Sequence, residues 1–214
     1  MDLYLWSNPK LNKGKTKPVK YSFSPGVTML VGPNGSGKTS LLSQINSLFS
    51  GKGKTWTRID SNDPIRNDYL VYLYDNVFET KHAKDIWMSN GEVSRLMQSF
   101  ENSEGQDMYD YLFYKMKEIG QVSKRAATEN KKGIVLLFDG LDSGLSLDVL
   151  NKIKYGVLDF IVSVEDMLEV YIICSSNSYE LCSGYQCIDI VSGKNIVFGS
   201  YEEYERYFLE GSWR

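Results

Sequence analysis

Val27-Thr28-Met29-Leu30-Val31-Gly32-Pro33-Asn34-Gly35-Ser36-Gly37-Lys38-Thr39 decides the fold of this chain. Its apolar first half reads as a buried strand, and residues 32–39 complete the pattern G-x-x-x-x-G-K-[ST] directly after it. The glycines let the backbone curl so that successive N–H groups face phosphate oxygens, with Lys38 adding a point charge at the β/γ bridge. Thr39 offers a hydroxyl to Mg²⁺. Ser40-Leu41-Leu42-Ser43-Gln44-Ile45 then begins a helix, whose unpaired donors and positive dipole end point at the same anion. The expected phosphate cradle is therefore Pro33, Asn34, Gly35, Ser36, Gly37, Lys38, Thr39 and Ser40.

Working outward, 214 residues with 42% hydrophobic and 24% charged content suffice for one domain with a sizeable core. A net charge of −3 gives no global attraction to nucleic acid or anionic membrane, so any such contact has to be a local patch. No apolar run is long enough to cross a bilayer, and the first residues lack the basic start and long apolar stretch of a secretory signal. The expected location is cytoplasmic, a bacterial or phage-infected host cytosol. Cys174, Cys182 and Cys187 contain no C-x-x-C pair and are expected to be reduced, small apolar side chains. His82, the only histidine, removes most His-based metal sites and reads as a surface loop residue.

Upstream of the loop, residues 3–6, 17–23 and 27–31 read as strands, the first as an edge strand. Pro25-Gly26 marks an antiparallel entry into the core strand. Lys10, Lys13, Lys15, Lys17 and Lys20 form a lysine-rich segment, either a solvated loop or a phosphate contact. Downstream, residues 55–59 alternate as a strand, and Tyr69-Leu70-Val71-Tyr72-Leu73-Tyr74 is apolar on both faces, as a strand inside a sheet would be. Helical spacing follows over 83–101, with a break at 89–91, and over 106–129, where Met108, Leu112, Met116 and Ile119 share a face. A strand at 134–138, a helix at 147–166, a strand at 170–174, a hairpin around Ser192-Gly193-Lys194 and a helix at 201–209 complete the chain. Strands and helices that alternate in this way predict an α/β fold with a mainly parallel core sheet and antiparallel N-terminal strands. One domain over 1–214 is expected, with a small helical lobe at approximately 83–130.

Ile134-Val135-Leu136-Leu137-Phe138-Asp139, an apolar strand ending in an acid, matches the strand whose carboxylate holds Mg²⁺ opposite Thr39. With it, Asp139-Gly140-Leu141-Asp142-Ser143-Gly144-Leu145-Ser146 and Ser89-Asn90-Gly91-Glu92-Val93-Ser94-Arg95-Leu96 resemble the Walker B, D-loop and signature runs of ABC-type ATPases. The chain is similar over essentially its whole length to the small ABC-type proteins, often labelled AAA ATPases, of bacteria and phages. Those share a head design with the SMC and DNA-repair ATPases. Read without that resemblance, residues 89–92 are a helix N-cap with Glu92 in a capping arrangement.

The resemblance implies a P-loop NTPase that uses ATP and Mg²⁺ and forms a nucleotide-sandwich homodimer. Ser89 and Gly91 would touch the γ-phosphate held by a second copy, from the start of the helix running through Arg95. It also implies candidate catalytic residues Lys38, Asp139, Asp142 and Asn177, and candidate metal-side residues Thr39, Asp139 and Asp75. Asn76 beside Asp75 stands where a Q-loop glutamine belongs, the pair reading otherwise as a strand-ending turn. Two departures bear on turnover: Gly140 occupies the place of the water-polarising glutamate, and Ser175-Ser176-Asn177 that of the switch histidine. Hydrolysis is accordingly expected to be slow or partner-dependent. The alternative is a non-hydrolysing switch or scaffold that recruits DNA or protein. A small-molecule kinase would leave the 89–92 and 142–146 runs without a task, and a transporter subunit would carry a clearer signature, Q-loop and switch histidine. The interval between Asn76 and Glu92 holds roughly one short helix, too little for an SMC-type coiled coil. For the adenine, Tyr21 or a lysine of the 10–20 segment is the candidate contact.

Overall fold

A computed structural model describes residues 1–6, 18–51, 58–61, 67–75, 85, 87–98, 104–142, 145–164 and 168–210. The strands are β1 (Asp2–Trp6), β2 (Val19–Ser22), β3 (Gly26–Val31), β4 (Arg58–Ser61), β5 (Tyr69–Asp75), β6 (Gly133–Asp139), β7 (Glu169–Ser175), β8 (Gln186–Asp189) and β9 (Asn195–Ile196). The helices are α1 (Lys38–Ser50), α2 (Val93–Gln98), α3 (Glu104–Thr128), α4 (Leu147–Ile153), α5 (Asp159–Val164), α6 (Tyr179–Cys182) and α7 (Tyr201–Glu210). A π-helical turn, Lys154–Leu158, joins α4 to α5 where a single straight helix is expected from the sequence.

Six strands form the core sheet in the order β5-β6-β7-β3-β8-β9, parallel except for the β8–β9 hairpin. The fold class expected from the sequence is the one observed. Strand β7 lies between β3, which leads into the phosphate loop, and β6, which ends at Asp139. Parallel strands aim their carboxyl ends at one edge, so residues 175–177 emerge between the loop and Asp139.

Both faces of this sheet are covered, which explains its unbroken apolar runs. Ile134, Leu136 and Phe138 of β6 face a core shared with Leu112 and Ile119 of α3, Val149, Leu150 and Ile153 of α4, and Tyr204 of α7. Val135 and Leu137, alternating to the other face, meet α1 through Leu41, Leu42, Ile45, Leu48 and Phe49, together with Leu3, Tyr21 and Phe23. Each fully buried side chain of this size contributes roughly 1.5–3 kcal/mol before entropy is subtracted. α1 thus holds the phosphate loop by its buried stripe. Glycine closes it at Gly51, whose N–H donates to Ser47 O at 3.1 Å.

The N-terminal strands differ from expectation. β1 is the centre, not the edge, of a separate antiparallel sheet ordered β2-β1-β4, with Leu3 paired to Tyr21 on one side and Ser61 on the other. β2 does not pair with β3; the turn before Gly26 carries the chain from one sheet to the other. β1 is apolar on its inner face, with Leu3 buried, and two flanking strands satisfy both of its backbone edges. Residues 7–17, with Lys10, Lys13, Lys15 and Lys17, lie outside the described residues, as do 55–57, Asn76, His82, Ser143 and Gly144.

Candidate functional site

A pocket of about 330 Å³ opens at the carboxyl edge of the core sheet. Asn34, Gly35, Ser36, Gly37, Lys38, Thr39 and Ser40 form one wall, and Asp139, Gly140, Asp142, Ser175, Ser176 and Asn177 the other. Of the residues expected from the sequence to bind nucleotide or metal, Pro33, Asp75, Ser89 and Gly91 are not among its lining. Asp75 stands in register with Asp139 on the adjacent parallel strand, a separation of roughly 4.8 Å between strands.

The loop has the geometry its composition demands. Gly35 and Gly37 adopt φ of 78° and 104°, and Ser36 N–H donates to Pro33 O at 3.1 Å. Gly32 is confined by close approach, because a Cβ there would lie 2.5 Å from Ile190 Cγ2 and 2.9 Å from Ser36 Oγ. The first turn of α1 presents N–H groups that no helical carbonyl can satisfy. Lys38 Nζ donates to the carbonyls of Gly32 (2.6 Å) and Pro33 (3.3 Å), folding back over the loop. Burial lowers the Lys38 pKa from its ordinary value, and the nearby charges of Asp142 and Asp139 oppose that shift. A curled backbone, a partly desolvated cation and a helix N-terminus fit a polyphosphate.

On the opposite wall, hydroxyls order the acids. Gly140 N–H donates to Ser175 Oγ at 2.9 Å, and Ser175 Oγ–H donates to Asp139 Oδ1. Ser175 is buried, so this relay fixes the rotamer of Asp139. Asp142 Oδ2 accepts from Ser176 Oγ–H at 3.0 Å and from Asn177 N–H, tying the Asp139–Asp142 turn to the end of β7. Asn177 Nδ2 in turn donates to Asn34 Oδ1 at 2.9 Å, joining β7 to the phosphate loop. Among the described residues, no group of three or more His, Cys, Asp or Glu side chains is arranged to hold a metal. Magnesium, which keeps several waters and shares its shell with phosphate, needs only one or two carboxylates and a hydroxyl. Thr39 and Asp139 on facing walls fit that requirement.

Asn177 and Asp142 are expected in the site from the sequence, whereas Ser175 and Ser176 carry no expected role. Their place follows from the β6–β7 register, which sets Phe138 beside Cys174 and hence Asp139 beside Ser175, a pairing that the sequence alone does not disclose. Tyr21 is a correction. It is buried, its hydroxyl donates to Ile190 O at 2.7 Å, and burial pushes its pKa up to about 12, so its ring is not presented to a base. Lys20 of the lysine-rich segment pairs with Asp2 at 2.6 Å.

The 89–92 turn is a second correction. Gly91, at φ 70°, donates its N–H to Met88 O (3.2 Å), while Glu92 N–H donates to Trp87 O (2.8 Å). That pair of bonds is a Schellman closure, which ends the helical turn at 87–89 with glycine in the left-handed position. Ser89 therefore terminates one helical turn and does not lead α2, which starts at Val93. Ser89, Asn90 and Gly91 are all exposed, and Trp87 anchors them from the core. Cys174, Cys182 and Cys187 are free and buried, as expected.

Fold and loop together define a P-loop ATPase. Residues 13–182 match the model of the AAA domain family, and the chain belongs to that family of ATP-binding ATPases. A segment of 53 residues is 43% identical to a Pyrococcus horikoshii protein whose name assigns it as an ABC transporter ATP-binding protein. That segment covers 24% of this chain and 19% of the relative, so the match spans about a fifth of the relative's length. Among solved structures, Stu0660 of Streptococcus thermophilus superposes with a TM-score of 0.51 at 10% identity, over 99% of this chain and 80% of that one. A further similar structure is cbiO1 of Clostridium perfringens, part of the ABC transporter complex cbiONQ (TM-score 0.46, 16% identity, 91% and 86% covered). Among the described residues, no helix is long and apolar enough to cross a membrane.

Proposed function

We propose that the pocket binds ATP with Mg²⁺, that bound ATP joins two copies of this chain, and that hydrolysis is slow or depends on a partner. The observation that carries this reading is the convergence of the phosphate loop, Thr39, Asp139 and Asn177 on one pocket. Asn34, Gly35, Ser36, Gly37, Lys38, Thr39 and Ser40 cradle the phosphates, with Pro33 shaping the turn. Thr39 and Asp139 would hold the metal, with Asp75, in register with Asp139 on the neighbouring strand, as the further metal-side acid. Asn177 donates to the γ-phosphate end. Ser89 and Gly91 act on the nucleotide of the second copy; their exposure, away from their own pocket, supports this. The whole of 1–214 works as one cytosolic domain, with the lobe at 83–130 carrying the 89–91 turn.

Slow turnover follows from Gly140, since no carboxylate stands where the water-polarising base belongs. Positioning and electrostatic stabilisation by Lys38 and Mg²⁺ still supply much of phosphoryl transfer. The test is multiple-turnover, Mg²⁺-dependent phosphate release that disappears in Lys38→Ala. A second reading, a non-hydrolysing switch that recruits DNA or protein, is favoured by one observation. Asp142 Oδ2 is already engaged by Ser176 and Asn177, which makes it a brace and not a spare base. Tight ATP binding with only background phosphate release selects that reading.

A further inference from the structure

A second groove, of about 480 Å³, shares Asp142 and Asn177 with the nucleotide pocket and extends from it between α4, α6 and α7. Its walls carry two carboxylates, Asp142 and Glu180, the rings of Tyr179, Tyr201 and Tyr204, and three leucines. No Lys, Arg or His lines it among the described residues, and there neither carboxylate is in a salt bridge. Glu180 Oε2 accepts from Ser178 Oγ–H at 2.6 Å, which holds the acid at the wall. Tyr179 packs edge-on to Tyr201 at 5.7 Å and tilted against Tyr204 at 5.7 Å, so the three rings form one continuous surface.

Tyr204 closes the inner wall of the groove, with its hydroxyl sealed from solvent. It is only 7% exposed, yet its buried Oη has no hydrogen-bond partner among the described residues.

The chemistry of the walls restricts what fits. An anion would meet two carboxylates, and a wholly apolar group would strip them of water without compensation. A cation on an apolar stem answers each feature at once. The stem packs on the leucines, and the charge faces tyrosine rings and carboxylates. A guanidinium, planar and with five donors, serves these separated acceptors better than an ammonium. Leu147 and Tyr201 at the mouth are 60% and 53% exposed, so entry is from outside.

We infer that this groove receives an arginine side chain from a partner polypeptide. Seated there, its head lies against Asp142 and Asn177, which also border the nucleotide pocket. An effect of that charge on bound ATP rests on the nucleotide reading above, whereas docking of the arginine does not.

The test uses ethylguanidinium as the probe. The full-length protein, without nucleotide, is titrated at constant ionic strength and read by saturation-transfer NMR of the ethyl group, with neutral ethylurea as the control. Expected are a saturable signal for ethylguanidinium, none for ethylurea, and affinity at least fivefold weaker in Glu180→Gln and in Tyr201→Ala. An unchanged thermal midpoint shows that the variants are folded; if Tyr201→Ala lowers it, the Glu180→Gln titration decides alone. A signal that does not saturate, equal binding of ethylurea, or unaltered affinity in Glu180→Gln overturns the inference. Because nucleotide is left out, failure of ATP binding and failure of this site are read separately.

Discussion

Asn177 at the end of β7 donates its side-chain amide to Asn34 Oδ1 across 2.9 Å, bridging the two walls of the nucleotide pocket. The same residue's N–H is held by Asp142, so the amide is aimed by a fixed backbone. A hydrogen bond to a charged acceptor contributes about 1.5–3 kcal/mol, more than a neutral amide pair does. A γ-phosphate therefore competes well for this donor.

Replacing Asn177 with Ala is predicted to weaken ATP binding about tenfold, the equivalent of about 1.4 kcal/mol. ADP, which lacks the γ-phosphate, should lose less than about twofold. Paired calorimetric titrations with the two nucleotides check this.

Ser175 is predicted to be a stability residue as well as a site residue. Ser175→Ala removes the donor to Asp139 and the hydroxyl that accepts from Gly140 N–H. The expected loss is about 1–3 kcal/mol in urea unfolding, with ATP affinity reduced because Asp139 is no longer held in one rotamer.

Gly140 has φ 70°, so restoring a glutamate there is not a simple reversal. Any L side chain in the left-handed region costs roughly 1–2 kcal/mol. Gly140→Glu should lower stability by about that much, and Gly140→Ala by a similar amount, measured from denaturant midpoints at unchanged slope.

Lys38 gives a pH dependence whose sign is fixed by its burial. Its folded pKa lies below the ordinary 10.5, so between the two values the unfolded chain binds more protons and stability rises with pH. Bound polyphosphate favours the charged form and draws the pKa back up. ATP binding in that alkaline window should then take up protons and weaken as pH rises. Calorimetry in two buffers of different ionisation enthalpy measures the uptake, which should vanish in Lys38→Ala.

Tyr21→Phe separates a core residue from a base contact. Losing the bond to Ile190 O should cost about 1 kcal/mol of stability and leave ATP affinity unchanged.

Much of this was legible in the sequence because local pattern and tertiary role coincide. The phosphate loop needs its glycines for backbone reasons, and the 134–139 run needs both faces apolar because β6 is buried on both sides. What was not legible depended on pairing between distant strands. β1 reads as an edge because a short N-terminal strand carries no record of having two neighbours. Tyr21 reads as an aromatic available for stacking because only the fold reveals Ile190 O within reach of its hydroxyl. Gly91 signals a break in the helix, yet which side of the break Ser89 belongs to is set by two backbone hydrogen bonds that the letters do not encode.

Whether the pocket between the phosphate loop and the ends of β6 and β7 grips Mg²⁺–ATP is decided by one calorimetric titration of ATP into the protein with magnesium. Saturable binding that weakens at least tenfold in Lys38→Ala and in Asp139→Asn is expected. No heat of binding, or equal affinity in the wild type and both variants, would contradict it.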